Sequence, residues 1–256
     1  MNILEQFKLN GKKALVTAGG SGIGRAYCHA LAEAGADVAV VDIDRKNAEA
    51  VTEEIRSIGS DAFAVIADVS KEEDIDMMMG NIIERWGRLD IAVNNAGISI
   101  WGNAENFALK DWDSVMDLDL RGAFICAQKQ AKVMMAQRYG KIIFTSSISA
   151  RIINIPQFQV SMSVAKAGLE HLTRCLAVEW IPYGINVNCI SPGAVMTPAL
   201  EKPYLKEKVP LWESLYPIKR LGYAEEFKGA IVYLASDASS FMVGHVMVID
   251  GGYLLY

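Results

Sequence analysis

Thr17-Ala18-Gly19-Gly20-Ser21-Gly22-Ile23-Gly24 stands between an apolar run, Ala14–Thr17, and an amphipathic stretch, Ile23–Ala34. A strand that breaks into glycines and resumes as a helix needs those glycines for two reasons. The backbone must turn tightly, and it must approach a phosphate with no Cβ in the way. The helix start then offers unpaired N–H groups and the positive end of a dipole. A glycine-rich turn is a short motif, and its place between the first strand and the first helix gives it weight. Gly20, Ser21, Gly22, Ile23 and Gly24 are therefore candidate dinucleotide-binding residues.

The same alternation continues outward. Further strand candidates are Asp37–Asp42, Ala62–Ala67, Ile91–Asn94, Lys141–Ser146, Asn186–Ile190 and Val246–Ile249. Helical patterns lie between them at Arg45–Ile58, Glu72–Trp86, Asp111–Gln137, Val164–Trp180 and Ala224–Ala235. Strands apolar on both faces, alternating with helices, predict a parallel sheet covered on both sides. Right-handed crossovers make it a doubly wound, Rossmann-type α/β sheet. No linker, repeat or low-complexity tract divides residues 1–256, so one domain is expected. The long segment Pro198 to Arg220 lacks a regular pattern and is expected to be a substrate lid.

Asp42 ends the second strand. A carboxylate there can accept from the adenosine ribose hydroxyls and repels a 2′-phosphate, which favours NAD over NADP. The alternative is a turn or helix N-cap residue. Arg45 is read as solvated on the following helix.

Composition narrows the classes. The chain has 256 residues, 52% of them hydrophobic, and a formal charge of -5. No basic block suggests nucleic acid or an anionic membrane surface as partner. No apolar run reaches the length of a membrane span, and Met1 to Asn10 lacks the apolar core of a signal peptide. Cys28, Cys126, Cys175 and Cys189 stand singly, which predicts buried thiols in a reducing cytoplasm. His29, His171 and His245 have no ligand-like spacing, so no metal is expected.

Taken in order, the motifs resemble those of the NAD(P)-dependent short-chain dehydrogenases/reductases along nearly the whole chain. The glycine turn matches Thr-Gly-x-x-x-Gly-x-Gly, with Ala18 at the first glycine. Asp68-Val69 matches the dipeptide that contacts adenine, and Asn94-Asn95-Ala96-Gly97 the motif after the fourth strand. Ser147 matches the serine after the fifth strand, and Lys166 the lysine of Tyr-x-x-x-Lys. Pro192-Gly193-Ala194-Val195-Met196-Thr197 matches the segment that holds the nicotinamide carboxamide, placing Pro192, Gly193, Val195 and Thr197 at the cofactor. Asp250-Gly251-Gly252 matches the C-terminal turn. The loop Ile153–Gln159 is similar to that of polyol and ketose reductases in the family. By resemblance, the long helices Asp111–Gln137 and Val164–Trp180 pack across a two-fold axis in a homodimer or homotetramer.

The family aligns an asparagine, a serine, a tyrosine and a lysine. Here those positions read Asp119, Ser147, Met162 and Lys166. A thioether cannot transfer a proton. Three readings stay open. Met162 is an introduced substitution, or the acid has moved to an Asp119–Lys166 pair, or the protein binds NAD without turnover. A site with a carboxylate and no phenol would suit a cationic C=N substrate, since hydride alone gives a neutral amine. An isomerase or lyase that uses bound NAD transiently is a further class.

Each residue also has a plainer reading. Met162 can be packing, Ser147 a turn cap, and Lys166 a solvated helix lysine. Trp101, Tyr204, Trp212 and Tyr216 line a pocket or serve as core or subunit contacts.

Overall fold

The computed structural model describes residues 2–201 and 203–255; the side chains of residues 199, 201, 203 and 204 lie outside that description. The first half contains β1 (Lys13–Thr17), α1 (Gly22–Glu33), β2 (Asp37–Asp42), α2 (Arg45–Ser57), β3 (Ala62–Ile66), α3 (Glu72–Trp86) and β4 (Ile91–Asn94). The second half begins with α4 (Leu109–Met116), α5 (Ala123–Gln137), β5 (Gly140–Thr145), α6 (Val160–Trp180) and β6 (Ile185–Pro192). Then follow β7 (Val195–Met196), α7 (Pro203–Lys206), α8 (Val209–Leu215), β8 (Gly222–Tyr223), α9 (Lys228–Ala235) and β9 (Val246–Ile249).

Seven strands make one parallel sheet in the order β3-β2-β1-β4-β5-β6-β9, and β7 and β8 form a separate short pair. β5 and β6 are buried at every position, as a strand covered on both faces must be. Side chains alternate between two cores. Leu15, Val41, Ala92, Phe144 and Val187 face α3, α5 and α6. Ala14, Val16, Val40, Val93 and Ile143 face α1, α2 and α9. The chain winds outward from β1 to β3, then crosses back to lay β4 on the other side of β1. That reversal is where a doubly wound sheet opens a crevice at the carboxyl ends of its strands.

The helices start and stop for local reasons. Asp44 caps α2 by accepting from the Asn47 N–H at 3.1 Å. α3 opens with Glu72, Glu73 and Asp74 against its dipole and closes on left-handed Gly87. The expected single helix Asp111–Gln137 is α4 and α5 joined by a π-helical turn, Asp117–Gly122. Gly122 is required there, because a Cβ would fall 2.2 Å from the Val69 carbonyl oxygen. α6 starts at Val160, four residues before the expected start, with the Gln159 side chain making no cap bond. The expected irregular segment 198–220 contains a 3-10 turn, α7 and α8. No described helix is long and apolar enough to cross a membrane. Cys28, Cys126 and Cys189 are buried as expected, whereas Cys175 is exposed on the outer face of α6.

Ala18 holds φ +50°, the left-handed region that glycine occupies freely. Strain at an L-residue there outweighs the extra chain entropy of glycine. Ala18→Gly is expected to stabilise the fold by about 0.5–1 kcal/mol, a rise of about 2 °C in Tm by calorimetry. An unchanged or lower Tm would refute the strain assignment.

Candidate functional site

The turn after β1 and the turn after β4 are lashed together across the sheet reversal. Thr17 Oγ1 accepts from the Asn95 and Ala96 N–H groups at 2.9 and 3.0 Å. Asn95 Nδ2 donates back to the Thr17 carbonyl at 3.1 Å. Asn94 instead turns into the core, where it exchanges two 2.9 Å amide bonds with Gln130. Its side chain is directed there, and what it leaves at the site is backbone.

The glycine turn is shaped as a cradle. A Cβ on Gly24 would fall 2.0 Å from the Ala18 oxygen, and Gly22 holds φ +52°. Ser21 precedes α1 in extended conformation and makes no side-chain cap bond, so the first N–H groups of the helix lack that partner. A Cβ on Gly22 would come 3.3 Å from Thr197 Cγ2, so the Pro192–Thr197 segment borders the same groove. A bare helix start facing a wall no side chain fills fits the pyrophosphate of a dinucleotide.

Asp42 Oδ2 accepts from the Gly20 N–H and Oδ1 from the Asp44 N–H, each at 2.9 Å. Each oxygen keeps a lone pair, so Asp42 serves the turn and stays available to hydroxyls. Arg45 pairs with Glu49 at 3.2 Å. Burial raises the Asp68 carboxyl, but bonds from the Ser70 hydroxyl and N–H and the nearby Lys71 outweigh it and hold the group below the usual aspartate value.

Asp119 sits fully buried in the π-helical turn. Its Oδ1 accepts from the Ile98 N–H at 2.8 Å. Lys166 Nζ lies 3.0 Å from Oδ2, without hydrogen-bond alignment, and donates to the Thr145 carbonyl at 3.1 Å. Gly97 seals the pair, since a Cβ there would come 2.8 Å from Asp119 Oδ2 and 2.9 Å from Lys166 Nζ. A π turn carries one more residue than an α turn and re-aims its side chains, a feature common at functional sites. Met162 lies one turn before Lys166 on the same face of α6.

Met162 and Ser147 both line a cleft of about 240 Å³ that also meets Gly193, Val195 and Thr197. Neither Asp119 nor Lys166 is among its lining residues. One wall is aromatic: Trp101 meets Trp212 edge-on at 6.1 Å, and Tyr216 lies against Tyr253 at 4.6 Å. Trp101, Trp212 and Tyr216 are thus cleft residues that also form their own apolar cluster with Leu205 and Leu221. The Tyr204 side chain lies outside the described residues.

The opposite wall is polar. Trp101 Nε1 donates to Ser99 Oγ at 3.2 Å, and Ser99 Oγ to Gln159 Oε1 at 2.9 Å. Gln159 Nε2 donates to Ser149 Oγ at 3.0 Å, and Asn154 Nδ2 donates to the same oxygen. Ser149 and Ser147 share a 2.9 Å hydroxyl bond, and the Ser149 N–H donates to Ser147 Oγ at 3.1 Å. Ser147 is therefore both a turn cap and a cleft residue. Sequence reading missed Ser99, Ser149, Gln159 and Tyr253. The signals were present: Gln159 closes the loop singled out at Ile153–Gln159, and Tyr253 follows Gly252.

Among the described residues no group of three or more His, Cys, Asp or Glu is placed to hold a metal ion.

A family model described as enoyl-(acyl carrier protein) reductase matches residues 17–254. The chain is 38% identical to the sorbose reductase of Candida albicans over 98% of its length and 90% of that protein. It is 38% identical to a probable NADP-dependent mannitol dehydrogenase of Yarrowia lipolytica, covering 98% and 91%. A solved short-chain type dehydrogenase/reductase from Mycobacterium marinum superposes with a TM-score of 0.95 at 39% identity, covering 98% and 99%. The chain belongs to the short-chain dehydrogenase/reductase family.

Tyr216 ties the aromatic wall to the Pro192–Thr197 segment, because its hydroxyl accepts from the Ala194 N–H. Burial pushes its phenol from 10.0 up to about 12. Below pH 10.0 folded and unfolded states both keep the proton; between there and about 12 only the folded state does, so stability falls as pH rises. Tyr216→Phe is expected to flatten that alkaline fall by up to about 1.4 kcal/mol per pH unit. Denaturant unfolding across the window checks it, and parallel curves for the two proteins would contradict it.

Proposed function

We propose that the protein is an NAD(H)-dependent oxidoreductase that moves hydride between the cofactor and the alcohol or carbonyl carbon of a small, neutral, polyol- or ketose-like substrate. The observation that carries this reading is the cleft. None of its described lining side chains is a carboxylate, ammonium, guanidinium or imidazole. A phosphate or carboxylate on the substrate would find no countercharge there. A row of hydroxyls would meet amides and hydroxyls on one wall and aromatic faces on the other. The names of the relatives, a sorbose reductase and a mannitol dehydrogenase, support the same substrate class.

NAD, when bound, supplies the hydride chemistry. On this reading Gly20, Ser21, Gly22, Ile23 and Gly24 hold its pyrophosphate, and Asp42 its adenosine ribose. Asp68 and Val69 border the adenine, and Asn94, Asn95, Ala96 and Gly97 border the crevice floor. Lys166 holds the nicotinamide ribose, and Pro192, Gly193, Val195 and Thr197 the carboxamide. NAD is favoured over NADP because Asp42 repels a 2′-phosphate while Glu49 already engages Arg45.

Ser147 meets the substrate oxygen. Met162 stands where the family's phenol would stand and offers no proton, so the site binds and orients better than it protonates. The alternative with Asp119 as the acid for an imine finds less support, since that carboxylate faces Ile98 and Lys166 rather than the cleft. Residues 198–220 act as the lid, contributing Leu200, Trp212 and Tyr216 to the cleft. A homodimer or homotetramer is part of the same proposal. It is supported by an open apolar groove of about 520 Å³ between the π turn and α6, lined by Leu120, Phe124 and Leu172.

Two outcomes test the reading. NADH is expected to bind about 10-fold or more tightly than NADPH, with Asp42→Ser narrowing the gap; fluorescence titration measures both, and equal affinities would remove the NAD preference. Met162→Tyr is expected to raise kcat for reduction of neutral ketoses by about 100-fold or more. Equal rates in the two proteins would mean that the chain with Met162 has another acid. NADH binding with no turnover by either would leave a cofactor-binding protein of another class.

A further inference from the structure

We propose that Gln159 is a positioning residue that fixes the direction of a hydrogen-bond chain ending at Ser147, so that the Ser147 hydroxyl can only donate to the substrate oxygen. The inference rests on the reading of the cleft as a site for a carbonyl or alcohol.

The direction follows from the orientation of the Gln159 and Asn154 amides together with a count of protons and lone pairs. An indole N–H only donates, so Trp101 occupies one lone pair of Ser99. Ser99 then gives its proton to Gln159 Oε1. That leaves the NH₂ end of the amide facing Ser149, to which it donates. Asn154 Nδ2 supplies a second donor to the same oxygen. A hydroxyl has two lone pairs and one proton. With both lone pairs taken by amides, the Ser149 proton goes to Ser147 Oγ. Ser147 also accepts from the Ser149 N–H, so its own lone pairs are filled. The one valence left on Ser147 is its O–H, and the space left for it is the cleft.

A preset donor is what a carbonyl oxygen requires as hydride arrives and negative charge develops on it. A serine with no such chain rotates to suit either partner and discriminates nothing. The chain is buried where it matters: Gln159 is 9% exposed and Ser149 4%. Neighbouring dipoles therefore hold one another in register. It also reaches the aromatic wall, because Trp101 at its far end packs against Trp212.

The test is Gln159→Glu, which keeps the shape and replaces the amide donor with a second acceptor. Ser149 then donates to the carboxylate, Ser147 donates to Ser149, and Ser147 presents a lone pair to the cleft. D-fructose and D-mannitol serve as the ketone and alcohol probes, titrated by calorimetry with NAD⁺ and NADH respectively so that no turnover occurs. The variant is expected to lose about 10-fold in ketose affinity, while the polyol, which can donate as well as accept, changes less than about 2-fold. Ser149→Ala frees Ser147 to rotate and is expected to shift the same ratio by a smaller amount in the same direction. A ketose-to-polyol ratio unchanged in folded Gln159→Glu, or both affinities falling together, would overturn the assignment while leaving the substrate reading intact. Binding of neither probe to any of the three proteins would overturn the substrate reading, and this inference with it.

Discussion

The reversal of chain direction between β1 and β4 is the constraint on which the site depends. Two parallel strands lie side by side, yet the chain reaches them from opposite sides of the sheet, so their following loops diverge and leave a crevice. The Thr17 hydroxyl bridges that gap by accepting from two successive N–H groups after β4. Gly24 and Gly22 then bring the first helix close without filling the space. The π-helical turn is fixed by the same neighbourhood, since Gly122 passes over the Val69 carbonyl just beyond β3. Cofactor groove, buried ion pair and cleft thus share one frame.

Within that frame the two positions proposed to depart from the family pattern, Asp119 and Met162, are electrostatically linked. A lysine beside a phenol helps catalysis by favouring the phenolate; a lysine 3.0 Å from a buried carboxylate has its charge partly offset. On the proposed reading, with Met162 at the phenol's position, there is no acid for that charge to tune. Asp119 and Met162 are therefore consistent with each other, and a tyrosine at position 162 would act beside a lysine whose charge Asp119 only partly offsets. Breaking such a buried pair from one side costs about 3–5 kcal/mol. The pair is accordingly part of the fold as well as of the site.

Legibility in the sequence followed the range of the interaction. The glycine turn, the seven sheet strands and the end of α3 are written in contiguous residues, and their boundaries came out within a few positions. Asp119 and Lys166 were placed beside each other by resemblance, and the ion pair bears out that proximity. The start of α6 was misplaced because Gln159 makes no cap bond there. The π turn was invisible because its extra residue is a backbone feature, and Asp117–Gly122 carries no proline or cap to mark it. Ser99 and Gln159 stand 60 residues apart and Ala194 and Tyr216 22 apart; pairs of that kind carry no periodic signal. Cys175 was expected inside because its neighbours are apolar, yet that face of α6 lines the open groove instead.

The polar wall and the missing phenol bear on the same step from opposite sides. Hydride transfer to a ketone needs stabilisation of the developing oxyanion and, separately, delivery of a proton. On the proposed reading, a serine whose lone pairs are filled by Ser149 supplies the first and is too weak an acid to supply the second. On that same reading the site holds a carbonyl oxygen in place with no proton donor at the Met162 position. A substrate that brings its own charge relief, or a step that leaves the oxygen deprotonated until release, would lose least from the exchange.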